Sequence, residues 1–384
     1  MTAFVGAMVG IERSVLPLVA SADFGLASAA AATSFIVAFG PAKAVANLFA
    51  GRLSERVGRR RVLIVGWLIG LPVPFIVIVA PEWSWIVAAN VLLGVNQGLC
   101  WSMTVNMKVD LVGPARRGLA LGLNEAAGYV AVGVAALAAG IVAEGYGLRP
   151  EPFYLMIVVA ATGTALSALF VSDTAGHLEL EAALHPATRP SLRRAFAEGT
   201  WRRSDLVAFS QAGLVTNLTD GVAWGLVPLA LAAAGASIAD IALVAAVYPI
   251  TWGLLQVATG ALSDRWGRSP LIAGGMVVQA VAIGLFAIDP SVAMAVAAAA
   301  LLGVGTAMVY PTLLAAVGDV VRPTDRATAL GVYRFWRDIG TLVGAAGAAF
   351  VADAIGFAPA FIVVAMVTVA SGAVVAILRR GQST

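Results

Sequence analysis

The sequence predicts an all-α membrane protein, twelve transmembrane helices in two pseudo-symmetric six-helix bundles. Three observations predict it. Hydrophobic residues make up 60% of the 384 positions and charged residues 12%, with a mean hydropathy of +0.92, whereas a soluble chain runs nearer half apolar and a quarter charged. Apolar runs of roughly 17 to 26 residues recur twelve times, each long enough to cross about 30 Å of hydrocarbon at about 1.5 Å per residue. Finally, Gly51-Arg52-Leu53-Ser54-Glu55-Arg56-Val57-Gly58-Arg59 returns 209 positions later as Gly260-Ala261-Leu262-Ser263-Asp264-Arg265-Trp266-Gly267-Arg268. Asp110, Arg117 and Gly122 repeat at the same offset as Asp319, Arg326 and Gly331. The chain is an internal duplication whose repeated words are basic loops between apolar runs.

The runs fall near 3–20, 28–50, 62–80, 83–106, 117–142 and 152–172 in the first half. Those of the second half fall near 206–231, 238–260, 270–288, 291–316, 327–351 and 358–378. This divides the chain into a first bundle over 1–172, a linker over 173–205 and a second bundle over 206–384. Counting loops from a cytoplasmic N-terminus places 19 of the 24 Lys and Arg on the cytoplasmic side and Arg149 outside, leaving Arg13, Lys43, Arg334 and Arg337 within spans. Positive charge retained inside supports twelve spans, both termini cytoplasmic, in the inner (cytoplasmic) membrane. The net charge of +3 follows from that topology and asks for no nucleic-acid partner.

Cys100 is the single cysteine, so no disulfide framework is expected. Met1 runs directly into the first span without a basic leader, so no cleavable signal peptide is expected; the abrupt start leaves the completeness of the N-terminus open. The linker holds His177, His185, Pro186, Pro190 and five arginines, with a surface helix expected around 191–199, lying on the membrane through Arg193, Arg194 and Trp201. Two histidines in a polar segment without a third ligand read as solvated, and no metal or cofactor is expected.

The paired loops resemble the signature of the major facilitator superfamily, over nearly the whole chain. Glu55 stands where that family usually has Asp, while Asp264 conforms. The resemblance implies two bundles rocking about a central site. It implies a latch at Gly51, Glu55, Arg59, Asp110, Gly260, Asp264, Arg268 and Asp319, in which Glu55 or Asp264 caps a helix of the opposite half, Arg59 pairs with Asp110 and Arg268 with Asp319. A carboxylate at a helix N-terminus and a short ion pair suit such a latch, because rocking can break both. Proton-coupled drug exporters of this superfamily typically carry Arg where Gly94 stands, three residues before Gln97-Gly98, and a Gly-Pro in the fifth span that is missing here.

Charges inside the spans are the main site candidates, since each costs several kcal/mol against lipid and so lines a cavity or pairs. Lys43, Glu125 and Arg334 each sit eight residues from a cytoplasmic marker, about 12 Å in; Glu12 and Arg13 reach a similar depth, and Asp220 lies nearer the outside. Arg337, Asp338 and Thr341 can share one face with Arg334, and Arg334–Asp338 is spaced for an i,i+4 pair. Four basic and four acidic groups also fit a purely structural reading as balanced ion pairs. Asn217, Trp224, Tyr248, Trp252, Gln256, Asn90, Gln97, Trp101 and Tyr310 complete a polar and aromatic lining, although each alone fits an ordinary interhelical contact.

The expected function is therefore secondary active transport of a small organic solute by a monomer, with protons as the preferred coupling ion through Glu125. Charge at Arg13, Lys43 and Arg337 favours an organic anion or zwitterion. A transport-inactive receptor on the same fold and a multidrug efflux antiporter are the alternatives. No Walker-type loop, Cys pair or intramembrane His points to an enzyme.

Overall fold

The computed structural model describes residues 1–112, 117–174, 191–322 and 325–380. Among these, twelve helices are long and apolar enough to span a membrane. In the first bundle they are α1 Thr2–Ala22, α2 Ser34–Val57, α3 Arg59–Val79, α4 Trp83–Val112, α5 Leu121–Tyr146 and α6 Glu151–Phe170. In the second they are α7 Ser204–Ala233, α8 Ile238–Trp266, α9 Arg268–Ile288, α10 Val292–Val320, α11 Thr328–Ile355 and α12 Phe357–Ile377.

The helices sit on the apolar runs, but α2, α4, α8 and α10 continue past their hydrophobic ends to Val57, Val112, Trp266 and Val320. Hydropathy marks only the part that suits lipid, while the hydrogen-bond ladder propagates into the polar end. This extension brings Lys108, assigned from sequence to a loop, into α4. Of the linker, Leu192–Ala197 is helical and runs on as a π turn through Arg202; Phe196 packs on Phe335 and Trp336 of α11. His177, His185, Pro186 and Pro190 lie outside the described residues.

Two spans are interrupted by proline. In α3 the break falls at Leu71–Pro72, between helical stretches Arg59–Gly70 and Val73–Val79. In α7, Val222–Leu226 forms a π turn. Pro228 has no N–H to give the carbonyl of Trp224 four residues earlier, and its ring crowds that carbonyl, so the ladder widens there. Trp224 thus sits on the irregular turn of α7.

Within the bundles α1 packs on α5 and α2 on α4, with α7 on α11 and α8 on α10 as their counterparts; between bundles α5 meets α8 and α2 meets α11. Small residues set the close approach: a methyl group at Gly10 would run into the Val132 carbonyl, and one at Gly344 into that of Leu218. Leu68, Ile141, Phe170, Leu254, Ile288 and Ile377 point outward and exposed, as expected where the surrounding solvent is lipid.

Candidate functional site

At the centre, Glu125 of α5 bridges the two bundles. Trp101 Nε1 of α4 donates to Glu125 Oε1 at 2.8 Å and Tyr310 Oη of α10 donates to Glu125 Oε2 at 3.0 Å. Tyr129, one turn along α5, stacks on Trp252 of α8 with ring centroids 3.5 Å apart. Beside it, Lys108 Nζ donates to Asn124 Oδ1 at 2.5 Å. The carboxylate therefore sits in an aromatic enclosure whose walls come from both halves.

A second group of charges is continuous with the first. Asp338 of α11 lies 3.4 Å from Lys43 Nζ of α2 and 3.7 Å from Arg337 Nη1, and accepts from Asn47 Nδ2 at 2.5 Å. Arg337 reaches Asp220 at 3.8 Å, donates to Tyr129 Oη at 3.3 Å and lies 4.3 Å from the Tyr310 ring centroid. Tyr248 donates to Asp220 in turn. The expected Arg334–Asp338 pair is not formed: Asp338 turns to Lys43, Asn47 and Arg337, and Arg334 stays half-buried. Lys43 and Asn47 across the bundle interface, with Arg337 beside Asp338 on α11, outcompete one i,i+4 arginine.

Other lining residues keep unspent hydrogen-bonding groups. Both oxygens of Glu12, all three nitrogens of Arg13, Asn217 Oδ1, Trp224 Nε1, Trp252 Nε1 and Gln256 Nε2 are buried without a hydrogen-bond partner. Gln97 instead donates to the Val5 carbonyl at 2.7 Å, and Asn217 Nδ2 to Thr341 at 2.9 Å; both hold neighbouring helices together. Sequence reasoning missed Asn47, Tyr129 and Lys108. The first two follow Lys43 and Glu125 by four residues and so share their helix faces, which is the signal that would have found them.

The face carrying the linker holds the repeated loops. Arg59 Nε lies 2.6 Å from Asp110, and Arg268 Nε 3.0 Å from Asp319. Asp264 is exposed and pairs with Arg268, one turn away on its own bundle, at 2.6 Å. Among the described residues it caps no helix of the opposite half. Gly51 and Gly260 are open around their Cα atoms, where a Cβ would meet nothing closer than 3.9 Å.

Helix capping between bundles occurs on the far face instead. Glu144, in the last turn of α5, accepts the Ala239 N–H at the start of α8 at 3.1 Å. Asp353, in the last turn of α11, accepts from Ala29 N at 2.7 Å, Ala30 N at 3.0 Å and Ser28 Oγ at 2.7 Å, at the short helix Ala29–Ala32 that leads into α2. Both acids and both capped helix starts are related by the 209-residue repeat. An acid at an N-terminus satisfies free N–H groups and the helix dipole together.

Comparison with known proteins agrees with this architecture. The Major Facilitator Superfamily model matches residues 1–210 and again 209–383. The chain belongs to the major facilitator superfamily. Like other members it is a multi-pass membrane protein of a family that transports small molecules. It is 30% identical over 141 residues to the inner membrane transport protein YajR of Escherichia coli (strain K12), a match covering 37% of this chain and 29% of that protein. It is 23% identical over 353 residues to the uncharacterized MFS-type transporter STM4428 of Salmonella typhimurium (strain LT2), covering 86% and 82%. Among solved structures, the fold resembles the human organic anion transporter MFSD10 (TM-score 0.71, 15% identity, 97% and 98% of the two chains). It also resembles the nucleoside transporter NupG (TM-score 0.77, 11% identity, 98% and 96%).

Proposed function

We propose that this superfamily member is a proton-coupled secondary transporter in which bundles 1–172 and 206–384, joined by 173–205, rock about the central site. It acts as a monomer in the inner membrane with both termini cytoplasmic. The observation that carries the reading is the clamp on Glu125, held by Trp101 from its own bundle and by Tyr310 from the other. Rocking that withdraws α10 removes one donor and admits water, so Glu125 is enclosed in one state of the transporter and open to protons in the other. Linkage of this kind couples a proton to a solute without any covalent chemistry.

The capped far face and the locally paired linker face support a state closed away from the linker. The solute is a small organic molecule. The related folds are named for an organic anion and for nucleosides, so the class must be read from this chain's own lining.

The test begins with a thermal-shift screen of the purified protein against metabolites and drugs. Hits then enter proteoliposomes carrying a pH gradient. Gradient-driven accumulation or extrusion of a bound solute is expected, lost in Glu125→Gln while solute exchange persists. Binding without any net flux would make the chain a receptor and overturn the reading.

A further inference from the structure

We propose that Arg13, together with the indole N–H of Trp224, is the recognition point for a single carboxylate carried on a compact apolar body. The inference rests on the transport reading for its location in the central site, and it goes further by naming the substrate class.

Arg13 is fully buried, and its Nε, Nη1 and Nη2 all lack a hydrogen-bond partner. Its guanidinium carbon lies 4.5 Å from the Phe39 ring centroid, 5.3 Å from that of Phe35 and 5.9 Å from that of Trp224. Aromatic rings stabilise a cation but offer no acceptor atom, so the donors of Arg13 stay available. Trp224 Nε1 is likewise buried and unpartnered, and the proline-widened turn of α7 is what presents it. A guanidinium fork and an indole N–H in one place are donors only, matching a planar group that only accepts.

Of the other cations within the spans, Arg334 is only half-buried and the rest are engaged. Lys43 is held by Asp338, Arg337 by Asp220 and Asp338, and Lys108 by Asn124. Positive charge at three sites, which from sequence favoured an anion in general, thus narrows to one site.

Glu12 sets the charge of the ligand. Consecutive helical side chains diverge by about 100°, and among the described residues Glu12 and Arg13 form no ion pair. Glu12 therefore offsets Arg13 at longer range and repels a second negative group, which favours a monocarboxylate. Trp224 also walls a tight space of about 10 Å³ together with Val227, Val244, Tyr248, Phe286 and Leu302, so the body that enters beside Arg13 must be apolar and compact.

The probe is benzoate, with benzamide as the uncharged control of the same shape. Binding is read on the full chain in detergent by thermal unfolding, using a thiol-reactive dye that reports exposure of Cys100, the single cysteine and a buried one. Benzoate is expected to raise the midpoint in a concentration-dependent way, and benzamide to leave it unchanged. Arg13→Gln should weaken benzoate at least about tenfold, the loss expected for a charge-assisted hydrogen bond. Trp224→Phe keeps the ring, loses the N–H and should weaken benzoate several-fold; it carries the test if Arg13→Gln does not fold. No benzoate response, an equal response to benzamide, or full benzoate affinity in a folded Arg13→Gln protein, or in Trp224→Phe where that protein does not fold, would overturn the proposal. Binding and flux separate the two readings: benzoate bound without transport overturns the transporter and leaves this site, while proton-driven flux of a cation or neutral solute does the reverse.

Discussion

Trp101 and Tyr310 occupy equivalent positions of the two repeats, 209 residues apart, and both donate to the same carboxylate, Glu125. Duplication would ordinarily give each its own acid. The position equivalent to Glu125 is Arg334, so the second repeat supplies a donor and no acceptor, and the two halves share one titratable group. Tyr310→Phe removes the donor from the opposite bundle while keeping the ring. It should reduce proton-driven accumulation several-fold with solute binding retained, measured as the ratio of uphill transport to exchange in proteoliposomes. Unchanged coupling in this mutant would assign Tyr310 to packing alone.

The far-face caps set the population of the state closed on that side. Asp353→Ala removes acceptors for two helix N–H groups and one hydroxyl, and Glu144→Ala one. At about 1 kcal/mol for a cap, each should shift the equilibrium roughly fivefold toward far-face opening. Thr33→Cys, buried where α2 meets Ala345 of α11, should then react faster with an impermeant maleimide added from that side. The double mutant should exceed either single one. Equal labelling in all backgrounds would mean these acids only finish the helices.

Much of this fold is legible in the sequence, because lipid imposes a coarse rule that hydropathy reads directly. Twelve apolar runs became twelve spans, and the pairs Arg59–Asp110 and Arg268–Asp319, implied by the resemblance of the repeated loops to the superfamily signature, are formed. What was not legible is the choice among partners. Asp338 has Arg334 at helical spacing, yet it pairs with Lys43, 295 positions away in sequence, because helix packing brings α2 against α11. The caps were within reach: Glu144 and Asp353 obey the same repeat as the loops, but acids near helix ends look like ordinary solvated residues until the opposite bundle is in place.

The Asp338 network makes a prediction about stability. Asp338→Asn leaves Lys43 and Arg337 without that counter-charge in a buried setting, and breaking one member of a buried pair costs about 3–5 kcal/mol. A clear fall in the thermal midpoint is expected, whereas Arg334→Gln should change it little. Adding Lys43→Met to Asp338→Asn should restore much of the loss, since the stranded charge is removed with its partner. A double mutant no more stable than Asp338→Asn would show that the pair is not the source of the effect.

The two linker-face acids should behave differently although the repeat makes both part of one motif. Asp110 is nearly buried, 2.6 Å from Arg59, and also accepts from Thr174 Oγ1 at 2.6 Å. Asp264 is largely exposed, and an exposed i,i+4 pair contributes about 0–1 kcal/mol. Asp110→Asn should therefore lower the thermal midpoint and transport together. Asp264→Asn should leave the midpoint within about 1 °C, as expected from so small a contribution in a chain of this size. If Asp264 instead swings across to cap the opposite bundle once the linker face closes, its mutant will keep normal stability and lose transport, with cysteines along α5 and α11 more accessible from the linker side. Normal transport with unchanged labelling in Asp264→Asn would restrict the second copy of the motif to setting topology.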